Sequence, residues 1–181
     1  MVTKCDDLTP HWFAMRDLKR SNAKLPAYKM LSDLGFEVFT PMTWKLSSQK
    51  GKYERKQIPF MHDLLFVHGS KQDINPIERK TPTLQYRFQR HGYCEPIIVR
   101  DEDMESFIYA VNNAENIRYY LPEELTPQMY NRTIRIQGGP LDGYEGKLLT
   151  VRGSKVKRLL IELPNLITVG IEVDSAYIQI L

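Results

Sequence analysis

Four histidines, His11, His62, His68 and His91, and two cysteines, Cys5 and Cys94, are the residues here best suited to hold a metal or form a covalent intermediate. Their spacing supports neither. A structural zinc needs clustered Cys and His ligands, and these six are scattered. His62 and His68 flank a short apolar run with Asp63 beside them, yet no thiol or carboxylate cluster completes a ligand set. No serine sits in a nucleophile elbow. Gly138-Gly139-Pro140 follows a strand pattern but leads into another strand, so neither a P-loop nor a dinucleotide fingerprint is formed. The expectation is a protein without a catalytic centre, a cofactor or a metal.

The chemistry on offer is cationic. Lys45, Lys50, Lys52, Arg55 and Lys56 face a single acid, Glu54, within twelve residues. Such a patch can track phosphates, or it can be a solvated loop tip. Net charge is +3 over 181 residues, and its distribution matters more than its size. Residues 1–121 hold 18 Lys/Arg against 15 Asp/Glu, whereas residues 122–181 hold 7 against 7. The basic excess therefore lies wholly in the first part.

Several elements must position these groups. Trp12-Phe13-Ala14-Met15 has strand length. Ser21 or Asn22 is placed to cap a helix with Pro26 in its first turn, apolar at Leu25, Tyr28, Leu31 and Leu34, ending at Gly35. Phe36 to Phe39 alternates as a strand, closed by Pro41. Trp44 to Leu46 and Tyr53 to Ile58 read as hairpin arms around a polar tip, residues 47–52. Leu64 to Val67 suits a central strand. Asp73 is placed to cap a short helix through Lys80. Leu84 to Phe88 alternates, His91-Gly92 suits a turn, and Pro96 to Val99 is a further strand. Asp101 caps a helix whose Met104, Phe107, Ile108 and Val111 form one stripe.

Beyond residue 121 the character changes. Residues 119–130 carry Pro122 and Pro127 with little periodicity. Short strands are then expected at 133–137, 146–151, 158–163, 166–172 and 176–180, bent by glycines. The fold class is α+β. An N-terminal split βαβ sandwich on an antiparallel sheet (1–121) is followed by a linker (122–131) and a small SH3-like five-stranded barrel (132–181).

Four segments together resemble the NusG family of transcription elongation factors. They are the Trp12 to Met15 opening and its helix, Leu34-Gly35-Phe36-Glu37-Val38-Phe39-Thr40-Pro41, the run from Pro59 to Val67, and the glycine loop. That loop, with Gly138, Gly139, Pro140, Gly143 and Gly146, looks like a KOW motif. His62-Asp63-Leu64 departs from the family's usual Pro-Gly-Tyr. The pattern is closer to specialised paralogues resembling RfaH or the UpxY antiterminators.

The resemblance implies an N-terminal (NGN-type) domain that docks an apolar patch on the clamp coiled coil of RNA polymerase and favours processive elongation at a limited set of operons. By motif position Met61, Leu64 and Phe66 are the polymerase-binding candidates, with Met104 and Phe107 on the neighbouring surface. Arg16, Lys50, Lys52, Arg55 and Lys56 are the nucleic-acid candidates, toward non-template DNA or nascent RNA. The KOW barrel would take a ribosomal protein or a termination factor. A KOW-barrel RNA-binding protein of ribosomal type is the alternative, but a charge-balanced tail fits it poorly. With no long apolar run and no secretory leader in Met1 to Pro10, a cytoplasmic monomer with reduced thiols is expected.

Overall fold

The computed structural model describes residues 7–20, 23–49, 52–89, 95–150 and 153–181. Cys5, Cys94, the helix cap expected at Ser21 or Asn22, the hairpin tip at Lys50-Gly51 and the turn at His91-Gly92 lie outside the described residues. The chain divides into two compact units, Met1–Asp101 and Glu102–Leu181.

The first unit is built on an antiparallel sheet of β1 (His11–Asp17), β2 (Glu37–Phe39), β5 (Leu64–Gly69), β6 (Leu84–Tyr86) and β7 (Ile98–Val99). Its order is β2-β5-β1-β6, and β7 also pairs with β1. Strand β1 is central because its residues Trp12 to Met15 are all buried, as a strand covered on both faces must be. One face carries Phe13, Met15, Leu65 and Val67. It packs under α1 (Ala27–Asp33) and α2 (Lys71–Lys80) through Ala27, Leu31 and Ile74, with Leu84 and Tyr86 closing the cluster. The Phe13 and Tyr86 rings meet edge to face, centroids 5.4 Å apart. By alternation the other face carries Trp12, Ala14, Leu64 and Phe66, all buried as well.

Helix α1 starts at Pro26 without a cap from its own chain neighbours. The buried carboxylate of Asp17, at the end of β1, supplies it by accepting from Ala27 N at 2.6 Å. Helix α2 is capped by Ser70 rather than by Asp73. Ser70 Oγ accepts from Asp73 N at 3.2 Å and donates to Asp73 Oδ2 at 2.6 Å. The serine directly follows the strand and has extended backbone, whereas Asp73 already lies inside the helix, so Ser70 is the residue that can turn its oxygen onto the helix end. Apart from the main sheet, β3 (Met42–Gln49) and β4 (Lys52–Pro59) pair only with each other, in register from Met42↔Pro59 to Gln49↔Lys52. The first arm runs further toward the tip than the short piece the sequence suggests, to Gln49 rather than Leu46, while the second lies close to its expected bounds.

The second unit holds all but the first residue of α3 (Asp101–Asn113) and a six-stranded antiparallel sheet. The strands are β8 (Ile117–Tyr120), β9 (Tyr130–Ile136), β10 (Glu145–Thr150), β11 (Lys157–Leu163), β12 (Ile167–Val173) and β13 (Ile178–Ile180), in the order β13-β9-β10-β11-β12-β8. Pairing of the last strand with β9 is the wrap-around expected of a small barrel. The sixth strand, β8, differs from expectation. Ile117 to Tyr120 pairs with Thr168 to Ile171, so residues read as the end of the first domain complete this sheet instead. The stretch read as a linker also folds onto it. Leu125, Met129 and Tyr130 pack on a cluster of Tyr120, Leu149 and Leu160. Two short 3-10 turns, Pro122–Glu124 and Pro127–Met129, carry the chain there. Their prolines, which break helical periodicity in the sequence, preset φ for those turns.

Candidate functional site

The expected polymerase-binding residues separate sharply by burial. Leu64, Phe66, Met104 and Phe107 are buried, at 0–1% exposure, and Met61 is half-buried. Leu64 and Phe66 lie within β5, where their ladder partners are Arg16 and Ala14 of β1 and, for Phe66, Phe39 of β2. The Phe66 ring sits 6.4 Å from that of Phe39. The apolar patch inferred from those five positions is therefore corrected: four of them do not present a surface, and Met61 alone reaches solvent. An apolar side chain in a fully paired central strand is packed before it is available for docking.

Asp63, at the mouth of β5, gathers two arginines. Arg87 Nη2 donates to Asp63 Oδ2 at 2.8 Å, and Arg16 Nε lies 3.6 Å from the same oxygen. Burial lowers the Arg87 pKa from its ordinary value, with Asp63 opposing that and Arg16 adding to it. One carboxylate thus offsets two guanidinium groups, and the exposed Arg16 keeps a net positive environment. His68, near the far end of the same strand, packs on Trp12 at 5.2 Å, and its Nδ1 lies 3.8 Å from Glu37 Oε2. No group of three metal-ligating side chains occurs among the described residues.

The β3–β4 ribbon places the basic cluster. Lys45 and Lys56 are ladder partners, both exposed, on the face that also carries Glu54. Lys56 Nζ lies 3.2 Å from Glu54 Oε2. Arg55 belongs to the opposite face, with its guanidinium 5.2 Å from the Trp44 ring centroid. Lys50 lies outside the described residues, and Lys52 is described only through its pairing with Gln49. Trp44, Leu46 and Tyr53 are 57%, 60% and 75% exposed, and none of the three is among the residues singled out from sequence. The signal was there to read: one aromatic residue in each arm of a hairpin, on a segment whose other residues are mostly polar or basic.

In the second unit the glycine loop joins β9 to β10. Gly138, Gly139 and Gly143 all have positive φ, between 75° and 94°. With Asp142 N donating to Gly139 O and Gly143 N to Ile136 O, they fold the loop back within a few residues. At Gly146 the need is space. A Cβ there would fall onto the Leu160 carbonyl and 2.8 Å from Leu159 Cδ1. Pro140 is exposed, and its carbonyl accepts from Tyr109 Oη of α3 at 3.2 Å. Tyr109 stacks on Tyr144 at 5.9 Å. Burial raises the Tyr144 pKa, and a side-chain interaction with Ser106 partly offsets this. Tyr144 Oη also donates to the Ser106 carbonyl at 3.5 Å. An open cavity of about 590 Å³ beside the loop is lined by Asp103, Glu145, Lys147 and Glu162 among others. Its charges are largely paired within the unit: Lys147 with Glu162 at 3.4 Å, and Glu145 with Arg135. The glycine loop is thus a device for turning and packing a chain, set beside a face whose charges are largely paired.

No helix among the described residues is long and apolar enough to cross a membrane. A family model described as "Transcription termination factor nusG" matches residues 10–108, more than half of the chain. A solved structure described as "Domain interaction in Thermotoga maritima NusG" is similar at 13% identity, covering 96% of this chain and 98% of that one, with a TM-score of 0.48. No curated protein matches. On the family match, the chain belongs to the NusG family, non-enzymatic transcription factors whose members bind RNA polymerase.

Proposed function

We propose that this protein is a transcription elongation or antitermination factor of the cytoplasm. It binds RNA polymerase through its first unit and promotes processive elongation at a limited set of operons. The observation that carries the reading is the family match over residues 10–108, which spans the first unit's sheet, both its helices and the basic ribbon. Within that unit, Met61 at the entrance to β5 offers the apolar contact to the clamp coiled coil. Arg16, Arg55 and Lys56 supply phosphate contacts to non-template DNA or nascent RNA. The charge-paired second unit suits a protein partner, a ribosomal protein or a termination factor, better than it suits RNA.

The test is binding of the full chain to core RNA polymerase, intact or lacking the clamp coiled coil, with pause duration measured on a transcribed template. Binding that needs the coiled coil, weakened by Met61→Ala, together with shortened pauses, is the expected result. Capture of ribosomes or ribosomal RNA with no polymerase bound would overturn it in favour of a ribosomal KOW protein.

A further inference from the structure

The β3–β4 ribbon has two chemically different faces, and the charge of one does not explain the other. Ladder partners share a face, so Trp44 and Gln57, Leu46 and Arg55, and Ser48 and Tyr53 stand together. Lys45 with Lys56 and Ser47 with Glu54 stand on the reverse. On the first face an indole, an isobutyl group and a phenol are more than half exposed. No carboxylate of the ribbon shares that face, because its single acid, Glu54, lies on the reverse against Lys56. Solvent-facing aromatics are costly to leave uncovered, and two of them beside Arg55, which no carboxylate of the ribbon faces, make a specific surface.

We propose that this face binds single-stranded nucleic acid by stacking unpaired bases on Trp44 and Tyr53. Arg55 and the lysines of the reverse face follow the phosphates. The inference rests on the nucleic-acid reading of the same ribbon and deepens it from phosphate tracking to a strand-selective site. Charge complementarity selects the occupant. An apolar protein surface would cover the rings but leave Arg55 and Lys45 without a carboxylate from the ribbon, whose single acid is already against Lys56, whereas a polyanion carrying planar bases meets both needs. Duplex DNA fits poorly, since its base faces are stacked on one another and only its phosphates are on offer. Trp44 and Tyr53 are four residues apart along the ribbon, about 14 Å at strand rise, so they serve two separate bases of one strand. Stacking of this kind tolerates any base sequence, because every base has a π face.

The chain supplies its own reporter. Trp44 is exposed, while the second of its two tryptophans, Trp12, is 4% exposed. Titrating the full-length protein with dT12, rU12, an abasic 12-mer and a 12-bp duplex, while following tryptophan fluorescence and anisotropy, tests the site. Saturable quenching by dT12 or rU12, with at least about fivefold weaker binding of the abasic strand and the duplex, is expected. The ratio of dT12 to rU12 affinity identifies which strand is preferred. Trp44→Ala and Tyr53→Ala should each weaken dT12 binding by about fivefold or more, with unchanged thermal melts and an unchanged salt slope. Lys45→Gln with Lys56→Gln should flatten that slope and keep the quenching. Equal affinity for the abasic strand and dT12 without quenching would overturn the stacking and leave phosphate tracking standing. Binding of no oligonucleotide would overturn both, and self-association lost in Trp44→Ala would assign the face to contact between copies instead.

Discussion

Asp17 shows how much one side chain holds in this fold. It is 4% exposed, and its two oxygens accept from Lys19 N at 2.9 Å and Ala27 N at 2.6 Å. It thereby fixes the turn after β1 and satisfies an orphan donor at the start of α1, a helix whose own N-cap is a proline. Asp17→Ala removes both acceptors and leaves Ala27 N buried. A loss of about 1–3 kcal/mol is expected in urea unfolding, with Asp17→Asn intermediate because its amide retains one acceptor. A loss within experimental error would show that α1 is held by packing alone. No sequence pattern marks this cap, since the carboxylate and the helix start are ten residues apart and meet only through the tertiary turn.

At the scale of elements, α2 and β6 are tied by a buried phenol. Tyr86 Oη donates to Asn75 Oδ1 at 3.0 Å. Burial first, then the carboxylates of Glu78 and Asp7, push the Tyr86 pKa well above its ordinary 10.0. The neutral phenol is therefore favoured by the fold. Its contribution is fully present below about pH 10 and is lost as pH rises from there toward the folded value, because the unfolded chain ionises first. Stability measured from pH 8 to 11.5 should fall above pH 10, and Tyr86→Phe should fall less steeply over the same window. Parallel curves would remove Tyr86 as the cause. Tyr86 itself was legible in an alternating strand, and α2 was legible as a short helix from Asp73 through Lys80. The hydrogen bond between them was not, because it depends on how the helix lies across the sheet.

For the whole molecule the informative feature is where compactness divides the chain. The division falls at Asp101, twenty residues before the expected end of the first domain. The reason is hydrogen bonding: β8 has its ladder partner in β12, and Tyr120, Leu125, Met129 and Tyr130 share one cluster with Leu149 and Leu160. A fragment of residues 132–181 would leave one edge of β12 unpaired and that cluster open. A fragment of residues 115–181 keeps both. The longer fragment should melt higher by about 10 °C or more, since several kcal/mol of apolar burial separates the two. Equal melting temperatures would mean that 122–131 is a linker after all.

The sequence alone determined the local features. Alternation and 3.6-residue periodicity are short-range consequences of backbone geometry, so the strands at Trp12, Leu64 and Leu166, the helix after Asp101 and the glycine turns at 138–146 could be placed from neighbouring residues. The basic cluster and the family motifs were equally local. What only the tertiary structure decided is which apolar residues are used up in packing and which are left in water. Phe66 and Tyr53 look alike in a strand pattern, yet one is sealed at 0% exposure in a central strand and the other stands 75% exposed on a free ribbon. Burial depends on how many neighbours a strand acquires in the sheet, and those neighbours come from positions far away in the chain.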